Sequence, residues 1–334
     1  MSNSRVAALS VAAAPIFLFA LGGQASAQTK TIAIDGSSTV FPVSEAFAEE
    51  FQKLKKGAIR VTVGVSGTGG GFKKFCRGET DISNGSRPIL KAEMEECAKN
   101  GVSFIEMPIA FDALTVAVNP KNDFIGCLTV AELKKIWEPA SQGKVMNWSD
   151  VNPKWPNAKM SLFGAGADSG TFDYFTEAIN GKAKATRADF TASEDDNVLV
   201  QGIERDTNAL GYIPYAYYAP HAQQMKAVGI DGGKGCVKPS LEAVTAGTYN
   251  PLSRPLFIYI SKKSAEKPEI KEYVEYIMTK GAALVSEVKY LPLPEAAYKT
   301  ALKHFNDGRL GTVFGGVPEV GVSINELMKR DAKN

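Results

Sequence analysis

Histidine and cysteine are scarce in this chain: two and four among 334 residues. No CxxC pair and no Cys/His cluster occurs, which excludes the usual zinc-binding spacings. His221 lies in AYYAPHAQQ and His304 in ALKHFND, away from any strand end, so both read as surface or packing residues. A serine nucleophile would therefore lack its base, and neither Ser66 nor Ser169 sits in a GxSxG elbow. The glycine run SGTGGGFKK lacks the GxxxxGK[ST] order that places a lysine on terminal phosphates. Charge of one sign is also missing, with 38 Lys+Arg against 36 Asp+Glu and a net +2. That balance argues against nucleic acid or an anionic membrane as partner. Any anion handled by the protein must be held by a local site.

Long apolar runs are absent beyond the first 27 residues. There, Arg5 precedes a stretch from Val6 to Leu21 broken by Ser10 and Pro15, and the small triplet Ala25-Ser26-Ala27 follows. This pattern predicts a secretory signal, residues 1–27, cleaved before Gln28. The apolar core is short for a membrane anchor, which needs about 20 residues. The mature chain is expected to be soluble and exported, long enough for two lobes, each with a core. In an oxidising compartment, four cysteines point to disulfides. Of the three pairings available, the preferred one joins Cys76 to Cys97 across a short loop and Cys127 to Cys236 across the middle of the chain.

No repeat or low-complexity tract is found. TIAID (31–35), IRVTVGV (59–65) and TDISNGSRPI (80–89) read as strands that end in turns. VSEAFAEEFQKL (43–54), behind Pro42, GFKKFCRG and ILKAEMEECAKNG read as the helices between and after them. The rhythm predicts α/β layers, with mostly parallel sheets flanked by helices. Two longer strand-like runs, MPIAFDALTVAVNP (107–120) and PLFIYIS (255–261), are read as crossovers between lobes. Residues 28–112 with 253–334 then form one lobe and 113–252 the other, with a cleft between. TVAELKKIWEP, DNVLVQGIERD, PEIKEYVEYIMTKG and EAAYKTALKHF are further helices, and VGVSINELMKR (320–330) a terminal amphipathic one. The aromatics of GYIPYAYYAP (211–220) are assigned to packing, with no ligand role.

Three turns share one chemistry: GSSTVFP (36–42), SGTGGGF (66–72) and DSGTF (168–172). Each follows a predicted strand and opens a predicted helix. The first turn of a helix exposes unpaired N–H groups and the positive end of its dipole. Glycine lets an oxyanion approach that backbone, and Ser/Thr hydroxyls add neutral donors. One such turn is an ordinary N-cap, whereas three at strand carboxyl ends describe an anion clamp.

Taken in order, DGSSTVFPVSEAFAEEF, VSGTGGGFKKF, GETDISNGSRPI, GADSGTFDYF, LGYIPYAYY and PLSRPLFIYI resemble the periplasmic phosphate-binding proteins of bacterial ABC phosphate transporters, over residues 31–305. The resemblance implies a two-lobed, type II periplasmic binding fold that closes over one dehydrated phosphate. It further implies delivery of that phosphate to membrane permease subunits driven by a separate ATPase, a monomer, no cofactor and no catalysis. Carried onto this chain, the donors are Ser38, Thr39 and the backbone of Val40, then Thr68, Gly69 and Gly70, and from the other lobe Ser169, Gly170 and Thr171. Two charged positions depart from the family pattern. Ser86 stands where many members have an aspartate, and Ala165 where they have an arginine.

Arg87 is expected to supply the missing guanidinium fork. Asp168 or Asp173 is expected to supply the missing carboxylate, which would accept the proton that phosphate carries and sulfate lacks. The alternative readings are a binder of another tetrahedral oxyanion, such as sulfate or molybdate, and a secreted phosphatase-like or adhesion protein on the same fold.

Overall fold

The computed structural model describes Met1 and residues 29–317, 319–327 and 329–330; the expected signal segment, beyond Met1, lies outside the described residues. Thirteen strands are described. In chain order they are β1 Lys30–Gly36, β2 Ile59–Val65, β3 Ile82–Gly85, β4 Phe104–Val118, β5 Cys127–Thr129, β6 Ser161–Ala165, β7 Thr191–Ser193, β8 Ala209–Pro214, β9 Lys226–Ala227, β10 Gly229–Asp231, β11 Cys236–Val237, β12 Ser253–Ser261 and β13 Leu291–Pro292. Ten belong to one sheet whose main path runs β2-β1-β3-β12-β4-β8-β6-β7, with β9 and β13 added against β4. The outer parts are parallel, β1 with β2 and β3, and β6 with β7 and β8. The centre is antiparallel, because β12 and β4 run between the two parts rather than within one βαβ layer.

β4 explains how a single sheet serves both parts. Phe104 to Ala113 pairs with β12, and Leu114 to Val118 pairs with β8. Nearly all its residues are buried, as expected for a strand covered on both faces. β12 is buried along its whole length although it contains Pro255. The ladder to β3 ends at Phe257↔Gly85, so the missing N–H of Pro255 falls past the last β3 partner.

Seven helices matter below: α1 Phe41–Leu54, α2 Gly67–Cys76, α3 Lys91–Lys99, α4 Val130–Trp137, α5 Trp148–Val151, α6 Gly170–Asn180 and α7 Asp196–Arg205. α1 carries Pro42 in its first turn and turns Val43, Phe47 and Phe51 inward at intervals of four. Phe51 packs edge-on against Tyr273 at 5.0 Å. Its burial contributes roughly 1.5–3 kcal/mol. α2 begins at Gly67 and takes in the glycine run that the sequence suggested as a turn. Tertiary contact overrides the poor helix propensity of glycine there: a Cβ on Gly71 would lie 2.5 Å from the Gly36 Cα. In the other part, Trp137 of α4 meets Phe175, Phe190 and Tyr212 edge-on, and Tyr212 stacks on Phe175 at 3.9 Å. The packing role expected of that aromatic run holds for Tyr212.

Both expected disulfides form, Cys76–Cys97 and Cys127–Cys236. His221 pairs with Glu204 at 2.6 Å and His304 meets Arg309 at 2.9 Å. The terminal segment is helical over Ile324–Leu327, shorter than expected, with Val322 and Leu327 buried.

Candidate oxyanion site

The three turns open α1, α2 and α6 at the carboxyl ends of β1, β2 and β6. They converge. Thr39 Oγ1 lies 2.8 Å from Thr171 Oγ1, across 132 residues of chain. Thr68 Oγ1 lies 3.1 Å from Ser86 Oγ and accepts the Ser86 N–H at 3.2 Å. Gly170 joins the two pairs, since a Cβ there would fall 2.5 Å from both Ser86 Oγ and Thr68 Oγ1. Thr39, Thr68, Ser86 and Thr171 are fully buried. Ser169 caps α6 by accepting the Thr171 N–H at 3.1 Å, as an N-cap serine should.

The guanidinium at this cluster belongs to Arg254, which the sequence reading did not single out. The β4–β12 register sets Arg254 directly opposite Asp112, and the side chains pair at 3.1 Å. From that anchor Nη2 donates to Thr171 Oγ1 at 2.8 Å and to Thr39 Oγ1 at 3.2 Å, while Nη1 donates to the Gly170 carbonyl at 3.2 Å. The face of Tyr174 lies 5.5 Å from the guanidinium carbon. Burial pushes the Asp112 carboxyl above its ordinary range, against the pull of Arg254. The carboxyl also accepts the Tyr215 N–H at 3.2 Å. A second unforeseen carboxylate, Asp196 at the start of α7, is within hydrogen-bonding reach of the Ser38 hydroxyl. Burial pushes it up to about 7.

The remaining expected residues stand elsewhere. Arg87 is buried, but its fork is occupied: Glu93 takes Nη1 and Nη2 at 2.8 Å each, Asp173 takes Nε at 2.7 Å, and the Pro88 carbonyl takes Nη1 at 3.1 Å. Burial disfavours its charge, yet those carboxylates outweigh burial and raise its pKa. The expectation that Arg87 faces an anion is therefore revised, because Glu93 on the adjoining α3 captures it. Asp168 lies at the surface against Lys73 at 2.9 Å. Asp173 is spent on Arg87, and burial raises it. The Gly69 N–H donates to the Asp168 carbonyl at 2.8 Å, Gly70 packs against the Ser66 side chain, and the Val40 N–H reaches Ser37 Oγ at 3.4 Å.

Signals for the missed groups were present. Asp112 and Arg254 are charges inside otherwise apolar strand runs, and a lone charge in a buried strand needs a partner or a ligand. Pairing them required the register.

A two-part α/β fold with helix N-termini, hydroxyls and one guanidinium meeting at the carboxyl ends of its strands defines a binding protein for a small oxyanion. The PBP superfamily domain matches residues 22–280, and the chain belongs to that family. It is 49% identical over 322 residues to Protein SphX of Synechocystis sp., covering 95% of this chain and 96% of that protein. It is 35% identical over 278 residues to the phosphate-binding protein PstS of Staphylococcus saprophyticus, covering 82% and 83%. Among solved structures, a possible phosphate binding protein from Planctomyces limnophilus is 48% identical with a TM-score of 0.63, over 84% of this chain and 99% of that one. A putative phosphate ABC transporter substrate-binding protein with bound phosphate, from Clostridium perfringens, is 25% identical with a TM-score of 0.67, over 79% and 100%.

Proposed function

We propose that this protein captures inorganic phosphate between two lobes, residues 28–112 with 253–334 and residues 113–252, and delivers it to the permease subunits of an ABC importer. The observation that supports this most is the meeting of Thr39, Thr171 and Arg254, from three segments distant in sequence, at a buried point. The ligand set is Thr39, Thr68, Ser86, Ser169, Gly170 and Thr171, with Ser38 at its edge and Arg254 in place of Arg87. Hydroxyls and helix N-termini aim dipoles without adding net charge, and Arg254 is already balanced by Asp112. The site thus holds a dianion by hydrogen bonds in a water-poor setting, where each is stronger than in solvent. No bond is made or broken; the protein binds and releases.

Residues 1–27 are proposed as the export signal, which puts the mature chain in the periplasm. Among the described residues no helix is long and apolar enough to cross a membrane. The relatives named for phosphate binding support phosphate over other oxyanions. Calorimetry of the mature chain with phosphate, arsenate and sulfate tests the reading: saturable binding of phosphate and of its isostere arsenate is expected. No heat with phosphate, or turnover of a phosphate ester into free phosphate, would overturn it.

A further inference from the structure

Resting on the phosphate reading, we propose that Tyr217 and Tyr290 are positioning residues: each aims one backbone N–H of the first turn at the anion. Their hydroxyls take consecutive carbonyls. Tyr217 Oη donates to the Ser38 carbonyl at 3.0 Å, and Tyr290 Oη donates to the Thr39 carbonyl. A carbonyl oxygen can only accept, so the phenols are the donors. Burial pushes both phenols above their ordinary range, which keeps those protons in place.

A peptide group is planar and trans, so its N–H points opposite to its C=O. Holding the Ser38 oxygen sets the direction of the Thr39 N–H, and holding the Thr39 oxygen sets that of the Val40 N–H. A hydrogen bond accepted at the oxygen also polarises the group and strengthens its N–H as a donor. Those two N–H groups are the ones the fold leaves open. The Thr39 N–H has no hydrogen bond among the described residues, although Thr39 is fully buried. The Val40 N–H has only the 3.4 Å contact with Ser37 Oγ. A buried N–H left so is costly unless a ligand accepts from it.

The two tyrosines come from different parts of the chain. Tyr290 is fully buried in residues 253–334, the same part as the turn, and holds Thr39 whether or not the cleft is closed. Tyr217 lies in the helical turn Tyr215–Tyr218, within residues 113–252, and reaches Ser38 only when the two parts meet. The Val40 donor is thus aimed beforehand, and the Thr39 donor on closure.

The test is calorimetry of the mature protein with phosphate, and amide nitrogen–proton NMR spectra with and without phosphate. The proteins are wild type, Tyr217→Phe, Tyr290→Phe and, as control, Tyr298→Phe, whose hydroxyl donates to the Ile109 carbonyl at 2.8 Å away from the three turns. Tyr217→Phe and Tyr290→Phe should each weaken phosphate binding by about 2- to 10-fold, with Tyr298→Phe unchanged. The Val40 amide nitrogen signal should move in Tyr290→Phe with and without phosphate. The Thr39 signal should move in Tyr217→Phe only with phosphate. The inference is overturned if either variant keeps the wild-type affinity or leaves its amide signal in place. It is equally overturned if Tyr298→Phe weakens binding as much, or if Tyr217→Phe moves the Thr39 signal alike without phosphate. If wild type binds no phosphate at all, the proposed function falls instead, which is a different result.

Discussion

Replacing Asp173 by Asn tests whether the two parts of the chain move as lobes. Arg87 comes from residues 28–112 and Asp173 from residues 113–252, and their side chains, 3% exposed each, meet at 2.7 Å. Arg87 is already held within its own part by Glu93 and by the Pro88 carbonyl, so it stays in place without Asp173. An asparagine can turn its amide oxygen toward Nε and its NH2 toward the side where Oδ1 now has no hydrogen bond. Between the two parts, what is lost is the ionic part of one charge-assisted hydrogen bond, about 1.5–3 kcal/mol when buried; the longer 3.9 Å pairing of Oδ1 with the exposed Lys184 lies within residues 113–252 and adds little. If the pair exists only when the cleft is closed, the loss falls on closure. The phosphate Kd should then rise by roughly 10- to 100-fold, while the melting temperature of the ligand-free protein stays within about a degree. Calorimetry and ligand-free melts read the two quantities. If the parts do not separate, the same loss appears in the ligand-free protein as a fall of roughly 3–10 °C with the Kd little changed, and that outcome refutes the lobe argument.

Arg254→Lys keeps the charge beside Asp112 but loses the fork that spans Thr39 and Thr171; phosphate binding measured by calorimetry should weaken by roughly 100-fold or more, with the fold retained. Glu106 accepts hydrogen bonds from Tyr259, Thr312 and the Val313 N–H, and burial pushes it up to about 7 from an ordinary 4.5. A carboxyl raised on folding binds its proton more tightly in the native state, so its stabilisation is complete below about 4.5 and is lost as pH rises through about 7. Stability read from denaturant midpoints should therefore rise as pH falls from 7 to 5, with Glu106 contributing on the order of 3 kcal/mol, and Glu106→Gln should remove that share while leaving the share due to Asp196. Opening Cys127–Cys236, which closes a separation of 109 residues, should cost about 5 kcal/mol, against about 3 kcal/mol for Cys76–Cys97 with 21; paired serine variants compared in guanidinium give the order.

The sequence by itself determined the local parts. Strand, turn and helix alternate legibly from Thr31 to Asn100 because hydrophobic spacing, Pro42 and the hydroxyl–glycine turns are short-range signals. The three anion turns were visible for the same reason, since an N-cap serine and the glycines beside it act on backbone a few residues away. Tertiary structure alone decided which charges serve the site. Arg87 was the obvious guanidinium by proximity to Ser86, yet Glu93, six residues on, folds back to hold it. Arg254 reaches Thr39 across 215 residues because an antiparallel register sets it opposite Asp112, and register depends on two strands at once. Asp196 stands in the acidic run SEDDN (193–197), and only the packing of α7 buries it. Periodicity and capping are properties of a neighbourhood in the chain, whereas the partner of a buried charge is fixed by segments that meet only after folding.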